Sequence, residues 1–447
     1  MNRLRVGFGR VNVMPMMGIA VHGYYKPRYA KGVLDELEIN ALALACEEEK
    51  VVLLSMDHCG IHAECASAFR EAIAEKTGLP VNAVYIHATH THTGPELKRN
   101  SSNTLEQEYF TMVKGRMADV AEFALEDLKP ARMGWAVGEA PNIAFIRRFR
   151  MKDGSVQTNP GVDNPNILEP IGEVDERVHV LRFDREGADS IVLVNFGDHP
   201  DTVGGEKISA DWPGFLRRRL EKALDNVKCI FFNGAQGDVN HVNVHPTAGD
   251  MNDMFMDFDD VSRGYGHARH MGNVVAGAVL QVFDKVNYEE VDSIRCLERA
   301  VQIPSNMPTP EDMPQAYEIN RLHQAGRDEE IPFKGMMLTT VVAEAERMIE
   351  LEHGPEFFPM NLIGVAIGNI AMFGIPGEPF TGIGRALKEA EGWTMVLPTC
   401  LTNGSEGYFP MMEAYEEGGY ETRSSPFKEG VAEKIIQEGL ELLRDLR

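Results

Sequence analysis

The chain has 447 residues, of which 43% are apolar and 25% charged, and its formal net charge is -24. This balance is ordinary for a globular protein, and the length suits one large domain or a few average ones. The negative charge argues against nucleic acid or an anionic membrane surface as the main partner, because both attract positive charge. We therefore expect a small-molecule substrate, with no nucleic-acid or membrane partner, and leave a homo-oligomer open.

The cysteines and the first residues predict the compartment. The six cysteines have no CxxC spacing, and we interpret them as thiols rather than a disulfide framework. The N-terminal stretch MNRLRVGFGRVNVMP contains no apolar signal-peptide core, and no apolar run approaches the length of a membrane span. The expected location is the cytoplasm.

Apolar periodicity predicts alternating strands and helices along the chain. The predicted strands are 5–13, 37–46, 51–56, 84–89, 190–197, 228–232, 298–302 and 394–397, and the segment 361–373 contains two further strand-like runs. The predicted helices are 63–77, 104–128, 213–224, 266–282, 339–352, 380–391 and 428–446. This order predicts an α/β fold with a mixed β-sheet core flanked by helices. We expect one domain over residues 1–447, with a candidate insertion at 304–352 where a Pro-rich, charged stretch interrupts the pattern.

The stretch 84–95, VYIHATHTHTGP, carries the first candidate metal ligands. Strand side chains alternate between faces, so a strand that continues would place His90 and His92 on one face and His87 on the other. Two imidazoles on one face, before a Gly-Pro break, are typical of half a metal site. The alternative is that one histidine caps a loop and the other is a buried hydrogen-bonding residue.

Polar residues at other strand ends strengthen the metal hypothesis. His199, Asp238 and Glu378 each follow an apolar strand and lie in or beside a glycine-containing turn. In α/β folds, sites gather at the carboxyl ends of strands. Two or three histidines with one carboxylate suit a catalytic Zn²⁺, although Mn and Fe accept the same ligands.

Several other residues have two interpretations. The turn 147–154, RRFRMKDG, is either a solvated charged face or an anion clamp in which Arg147 and Arg148 bind a substrate carboxylate. Asp238 either contacts the substrate or orients a histidine or turn. Asp211 either reaches the substrate or caps the following helix. The acidic, Met-rich loop 249–260 is either a lid or an interface.

Four motifs, in order, resemble those of neutral (non-lysosomal) ceramidases. Residues 88–95 (ATHTHTGP) resemble ATHTHSGP, and 233–240 (NGAQGDVN) resemble NxGDVSPN. Residues 375–381 (IPGEPFT) resemble VPGEFTT, and 402–408 (TNGSEGY) resemble SNxYxGY. The RRFRMKDG turn and a SADWPG loop are similar to a short bacterial branch of this family.

The resemblance implies one zinc ion bound by His90, His199, Glu378 and Tyr408, with His92 beside the metal or the substrate. Asn240 stands where the family motif has serine, so we expect it to contact the substrate. An immunoglobulin-like C-terminal domain and a secretion signal, both expected for ceramidases, are not predicted here. Ceramide is therefore a doubtful substrate.

The predicted function is a zinc-dependent hydrolase, ceramidase-like, of an amide in a small polar molecule. His92, Tyr408 and Asp238 are the candidate catalytic residues, and Arg147, Arg148, Asp211 and Asn240 are the candidate substrate contacts. One alternative is a metal-dependent epimerase, isomerase or lyase acting on a sugar or hydroxy acid. The other is a non-catalytic binding protein on the same scaffold.

Overall fold

The computed structural model describes residues 4–250 and 264–447. Its strands are β1 (Leu4–Asn12), β2 (Gly32–Val33), β3 (Glu38–Cys46), β4 (Glu49–Met56), β5 (Val84–Ala88), β6 (Lys129–Glu139), β7 (Phe145–Ile146), β8 (Arg148–Met151), β9 (Val156–Thr158), β10 (Ile167–Pro170), β11 (Arg177–Arg185), β12 (Ser190–Phe196), β13 (Lys207–Ile208), β14 (Val227–Asn233), β15 (Val239–Asn240), β16 (Asn287–Glu289), β17 (Ile294–Pro304), β18 (Phe357–Ile367), β19 (Ile370–Gly374), β20 (Glu378–Pro379), β21 (Met395–Thr399) and β22 (Tyr408–Phe409). Its α-helices are α1 (Ala63–Thr77), α2 (Thr104–Glu126), α3 (Asp211–Ala223), α4 (Tyr265–Val282), α5 (Met313–Gln324), α6 (Met336–Leu351), α7 (Thr381–Lys388), α8 (Met412–Glu417), α9 (Tyr420–Ser424) and α10 (Val431–Leu446).

The predicted elements are present with small boundary shifts. Helix α1 has the predicted bounds, and Gly78 ends it with φ 74°, a left-handed conformation that glycine adopts without strain. The helix predicted over 380–391 is shorter and ends at Lys388. Most of the loop predicted at 249–260 lies outside the described residues.

Two sheets form the centre of the molecule. The larger has the order β14-β12-β11-β6-β1-β3-β4-β5, with β16 also paired to β6. The smaller has the order β17-β18-β19-β21. Strands β4/β5, β12/β14 and β19/β21 pair in parallel, and the other pairs in these sheets are antiparallel. The predicted mixed sheet flanked by helices is confirmed.

Both faces of the larger sheet are buried, and strand β3 shows how. Ala41 and Ala43 pack in the cluster that contains α1 and α2, whereas Leu42 and Leu44 pack against the smaller sheet. Helices α3 and α4 cover another part of the larger sheet, and α7 and α10 cover the outer face of the smaller one. The resulting order of layers is helix, sheet, sheet, helix, which explains the nearly continuous apolar runs in the central strands.

The edge strands of the larger sheet, β5 and β14, meet near their ends. The backbone N–H of Asn233 donates to Nε2 of His87 at 3.0 Å, and the Ser55 hydroxyl donates to the Phe231 carbonyl at 2.5 Å. The sheet is therefore curved enough to bring residues from both edges together. This curvature places the loops that follow β5, β12 and β14 side by side.

The stretch 304–352 contains α5 and α6. The two helices pack on each other through a small apolar cluster that includes Ala316, Ile319, Val341 and Ala345. Helix α6 also contacts α9. The pair forms one wall of the cavity described below, and its status as an insertion stays a prediction.

Candidate metal centre

His90 lies in the loop after β5. The strand ends at Ala88, and His90 has φ 79°, a left-handed conformation that is rare for a residue with a side chain. The alternation expected for a continuing strand therefore does not apply. His90 and His92 nevertheless converge, with 3.1 Å between their Nε2 atoms, because the loop turns the His90 ring. His87 points away and contacts Ser55 and Asn233.

Three predicted ligands meet at one point. Nε2 of His90 lies 3.1 Å from Nε2 of His199 and 3.2 Å from Oε2 of Glu378. Nε2 of His199 lies 3.4 Å from the same Glu378 oxygen. All three side chains are buried. They form a donor group with the spacing expected of a metal site.

Backbone carbonyls orient both imidazoles. Nδ1 of His90 contacts the Cys59 carbonyl at 2.5 Å, and Nδ1 of His199 contacts the Gln236 carbonyl at 3.0 Å. Because a carbonyl only accepts, each Nδ1 carries a hydrogen, so the neutral form of each ring presents its Nε2 lone pair to a metal ion. Such outer contacts are typical of metal-binding histidines.

These residues fit a zinc ion. Ligand bonds of about 2.0–2.1 Å in a tetrahedron place the ligand atoms about 3.3 Å apart, close to the 3.1–3.4 Å spacing of these donors. Burial lowers the pKa of His199 well below 6.5, so its ring is neutral, as a ligand must be. Burial also opposes a charge on His90, but its interactions with Glu378 and Cys59 together outweigh burial and raise the pKa of His90 well above 6.5. The Glu378 carboxylate thus draws a cation to this point.

Tyr408 lies beside the three donors. Strand β22 pairs in parallel with β20, which places Tyr408 opposite Glu378. Its ring stacks on His199 with 6.5 Å between ring centroids. Burial, together with the Glu378 charge, raises the pKa of Tyr408 well above 10. The fourth-ligand role of Tyr408 stays a prediction.

His92 lies on the other side of His90. Its Nδ1 is 3.7 Å from Oδ1 of Asp201, and its ring lies near Tyr24. Burial lowers the pKa of His92 well below 6.5, so its imidazole is neutral. His92 also forms a second donor group with His90 and Cys59.

Arg147 and Arg148 are buried, so the interpretation of this turn as a solvated face is wrong for both. Nε of Arg147 donates to Glu421 at 2.7 Å, and Nη2 donates to the Gly237 carbonyl at 2.8 Å. Its Nη1 lies 3.4 Å from Nε2 of His199. Arg148 donates to the Gly418 carbonyl at 2.8 Å. Protein groups thus already engage both guanidinium groups, and the substrate contact predicted for them stays a prediction.

Asp238 and Asp211 bind backbone and hydroxyl groups. The Asp238 carboxylate accepts from the N–H and the hydroxyl of Thr381, at 2.7 and 2.9 Å, where α7 begins. The Asp211 carboxylate accepts from the backbone N–H groups of Thr202, Val203 and Trp212. The Asp238 contacts match the turn-orienting interpretation. The capping interpretation of Asp211 is wrong, because Asp211 is the first residue of α3, Ala210 precedes it as the cap, and two of its three bonds go to the loop before the helix. The catalytic role of Asp238 and the substrate contact of Asp211 stay predictions.

Asn240 lies in β15 and is also buried. Its side-chain amide donates to Asn159 at 2.9 Å, and its oxygen accepts from the Val242 N–H at 3.0 Å. These contacts connect Asn240 with the residues directly after β15 and with the segment that carries Asn159. A substrate contact for Asn240 stays a prediction.

A cavity of about 490 Å³ opens onto the donor group. His90, His92, Glu378 and Tyr408 line it, together with residues of α5 and α6. Much of the remaining lining is polar: His22, His62, Glu96, Asn320, His323 and Glu406. The arrangement combines a metal-binding donor group with a polar compartment for a ligand.

Comparison with known proteins gives matches in structure only. No protein-family model and no curated protein matches the sequence. The crystal structure of neutral ceramidase from Pseudomonas aeruginosa matches with a TM-score of 0.74 and 17% identity, over 99% of this chain and 74% of that chain. A structure described as ceramidase complexed with C2 also matches with a TM-score of 0.74 and 17% identity, over 100% of this chain and 76% of that chain. This chain has the fold of neutral ceramidases.

The ceramidase-like fold confirms, at the level of architecture, the resemblance seen in the motifs. At 17% identity the likeness extends to the fold alone. In residues 4–250 and 264–447, no helix has both the length and the apolar character needed to cross a membrane. The six cysteines are free, as expected for thiols.

Sequence patterns did not indicate two residues of the candidate site. Gln236 contacts both His199 and Glu378, and its only signal is its place inside the NGAQGDVN motif. Glu421 has no exposed surface and pairs with Arg147. No sequence signal connects Glu421 with a turn that lies 274 residues earlier.

Proposed function

We propose that this chain is a zinc-dependent hydrolase that cleaves an amide bond in a small polar molecule. The observation that carries the proposal is the 3.1–3.4 Å spacing of the donor atoms of His90, His199 and Glu378 beside a polar cavity. The ceramidase-like fold supports the amide as the bond, because ceramidases are amide hydrolases. Free cysteines support a reducing cytoplasm as the location.

When bound, zinc supplies a water molecule with a pKa near 7 and polarises the scissile carbonyl. The protein's own residues hold and move protons around it. His92 is neutral and lines the cavity, and its Nε2 lies 3.1 Å from Nε2 of His90, which supports a role in accepting a proton at Nε2 during hydrolysis.

Tyr408 and Arg147 are placed to stabilise negative charge. The raised pKa of Tyr408 keeps its phenol protonated at neutral pH, so its hydroxyl donates a hydrogen bond to a developing oxyanion. The Arg147 guanidinium lies 5.3 Å from the centre of the Tyr408 ring and holds that ring in place. In the alternative arrangement, Tyr408 would help to hold the zinc as a phenolate, and the neighbouring Arg147 would stabilise that negative charge.

The cavity supports a small polar substrate. About 490 Å³ holds a compact molecule, and the polar lining offers hydrogen bonds rather than an apolar channel for long acyl chains. Helices α5 and α6 contribute Asn320 and His323 to this lining. Short acyl-amino compounds are therefore the first substrates to screen.

Elemental analysis tests the metal. Wild type, His199→Ala and His353→Ala are purified without added metal and then reconstituted with zinc. We expect one zinc per chain in wild type and in His353→Ala, whose histidine is 90% exposed on the surface. We expect its loss in His199→Ala. A wild type that takes up no metal contradicts the proposal.

Release of free amine from a panel of short N-acyl compounds then tests the reaction. Zinc-loaded wild type should cleave at least one amide, and His199→Ala should not. Incorporation of deuterium from heavy water into uncleaved substrate, without amine release, would instead indicate proton-transfer chemistry.

A further inference from the structure

Gln236 contacts two of the three candidate zinc ligands. It follows β14 in the loop 234–238 and has no exposed surface. Its backbone carbonyl accepts from Nδ1 of His199 at 3.0 Å. Its side-chain Nε2 donates to Oε2 of Glu378 at 3.3 Å. One residue therefore sets the orientation of an imidazole and a carboxylate that come from different sheets.

The hydrogen bond between the Gln236 side chain and Glu378 can run in one direction only, with Gln236 as the donor. A carboxylate only accepts, so the NH₂ group of the Gln236 amide must face it. The same Oε2 atom lies 3.2 Å from Nε2 of His90 and 3.4 Å from Nε2 of His199. This oxygen therefore directs one lone pair to Gln236 and the other to the point where the three donors meet.

The backbone around Gln236 keeps this geometry from relaxing. The Gly237 N–H donates to the Pro379 carbonyl at 2.8 Å, and the backbone N–H of Thr381 donates to the Asp238 carboxylate at 2.7 Å. A Cβ at Gly237 would lie 2.5 Å from the Glu378 carbonyl oxygen, so only glycine allows this approach. The loop and the segment that carries Glu378 thus form one unit, and the amide cannot withdraw from the carboxylate.

We infer that Gln236 is a positioning residue that holds Glu378 to coordination through a single oxygen and so keeps the metal four-coordinate. A carboxylate that is free to rotate can bind a metal through one oxygen or through both, and both modes occur in the larger coordination shells of calcium sites. Four ligands with one carboxylate oxygen suit zinc. The inference rests on the proposed zinc centre and adds what controls its geometry.

The test compares Gln236→Met with wild type. Methionine keeps the length of the side chain and the backbone carbonyl that holds His199, but it removes the amide that holds Glu378. We expect zinc affinity, measured by competition with a chromophoric chelator, to fall about 10–100-fold. We also expect the cobalt-substituted variant to lose the intense visible absorption of four-coordinate Co²⁺.

Thr381→Val is the matched control. It removes the hydroxyl that donates to Asp238 but keeps the Thr381 backbone N–H that also donates to Asp238, and it leaves the Gln236 amide in place. Its zinc affinity and cobalt spectrum should equal those of wild type even if its thermal midpoint falls. If Gln236→Met does not fold, Gln236→Leu replaces it in both measurements.

The outcomes separate this inference from the proposed function. If wild type binds neither zinc nor cobalt, both are wrong. If wild type binds zinc and the Gln236 variant matches it in affinity and in cobalt spectrum, the positioning role is wrong and the zinc centre stands. Weaker binding with an altered spectrum, together with an unchanged control, supports the positioning role.

Discussion

Glu421, which has no exposed surface, accepts a 2.7 Å hydrogen bond from Nε of Arg147. The other Glu421 oxygen accepts from the Thr158 hydroxyl at 2.8 Å. Helix α9 and the β8–β9 hairpin are thereby connected beside the candidate zinc ligands. The guanidinium group of Arg147 is held against His199 and Tyr408 rather than free in the cavity.

We expect Glu421→Ala to lower the free energy of unfolding by about 3–5 kcal/mol, because it leaves Arg147 charged, buried and unpaired. Urea denaturation measures this. Glu318→Ala is the control, since its partner Arg321 and Glu318 are each 55% exposed and water already screens their charges. Equal urea midpoints for the two variants would show that the buried pair does not anchor the site.

Cys59→Ala distinguishes the two donor groups. If zinc binds His90, His199 and Glu378, the thiol is not needed, and the variant should keep one zinc per chain. The Cys59 backbone carbonyl that orients His90 is retained. Loss of zinc from Cys59→Ala, with zinc kept by His199→Ala, would assign the metal to the Cys59–His90–His92 group.

Tyr408→Phe removes one hydroxyl beside the metal. We expect kcat to fall about 10²–10³-fold, the usual cost of losing one oxyanion donor, while the protein stays folded. Steady-state kinetics on the best substrate of the amide panel measures this. Tyr317→Phe, at a 46% exposed position, should retain full activity. Equal kcat values for Tyr408→Phe and wild type would remove Tyr408 from the mechanism.

Stability should fall as the pH drops below about 6.5. Burial lowers the pKa of His58, His87 and His241 to about 3. In the unfolded chain these rings titrate near 6.5, so between pH 6.5 and 3 the unfolded state binds protons that the folded state does not. Each ring therefore contributes a loss of up to about 1.4 kcal/mol per pH unit in that window.

The variant His241→Gln isolates one of these contributions. The slope of its unfolding free energy against pH, from urea titrations between pH 6.5 and 5, should be shallower by up to about 1.4 kcal/mol per pH unit. An identical slope would show that the pKa of His241 is the same in the folded and unfolded protein.

Much of the secondary structure is readable from the sequence. A strand buried on both faces is a continuous apolar run, and Ser190–Phe196 and Val227–Asn233 show this plainly. The candidate ligands are also readable from the sequence. His199 comes shortly after the apolar strand β12, and Glu378 comes after β19 and a turn. The residue types that form the donor group were thus predictable from the sequence.

The local geometry of the site was not predictable from the sequence. The alternation expected at His90 fails because the chain leaves the strand at Ala88 and adopts φ 79°, and no pattern of residue types encodes that angle. The buried state of Arg147 depends on Glu421, which is far away in the sequence. Gln236 gains its importance from two contacts that exist only after the sheets have packed.

The sequence by itself determined which segments are strands and helices and which residue types stand at their ends. Only the tertiary structure decided that His90 and His199, 109 residues apart, meet at 3.1 Å with Glu378 beside them. The physical reason is that the spacing of apolar residues indicates only which face of each segment is buried. Which loops come together depends on how the sheet curves and how the layers pack. These depend on contacts between distant segments, such as the bond from Asn233 to His87.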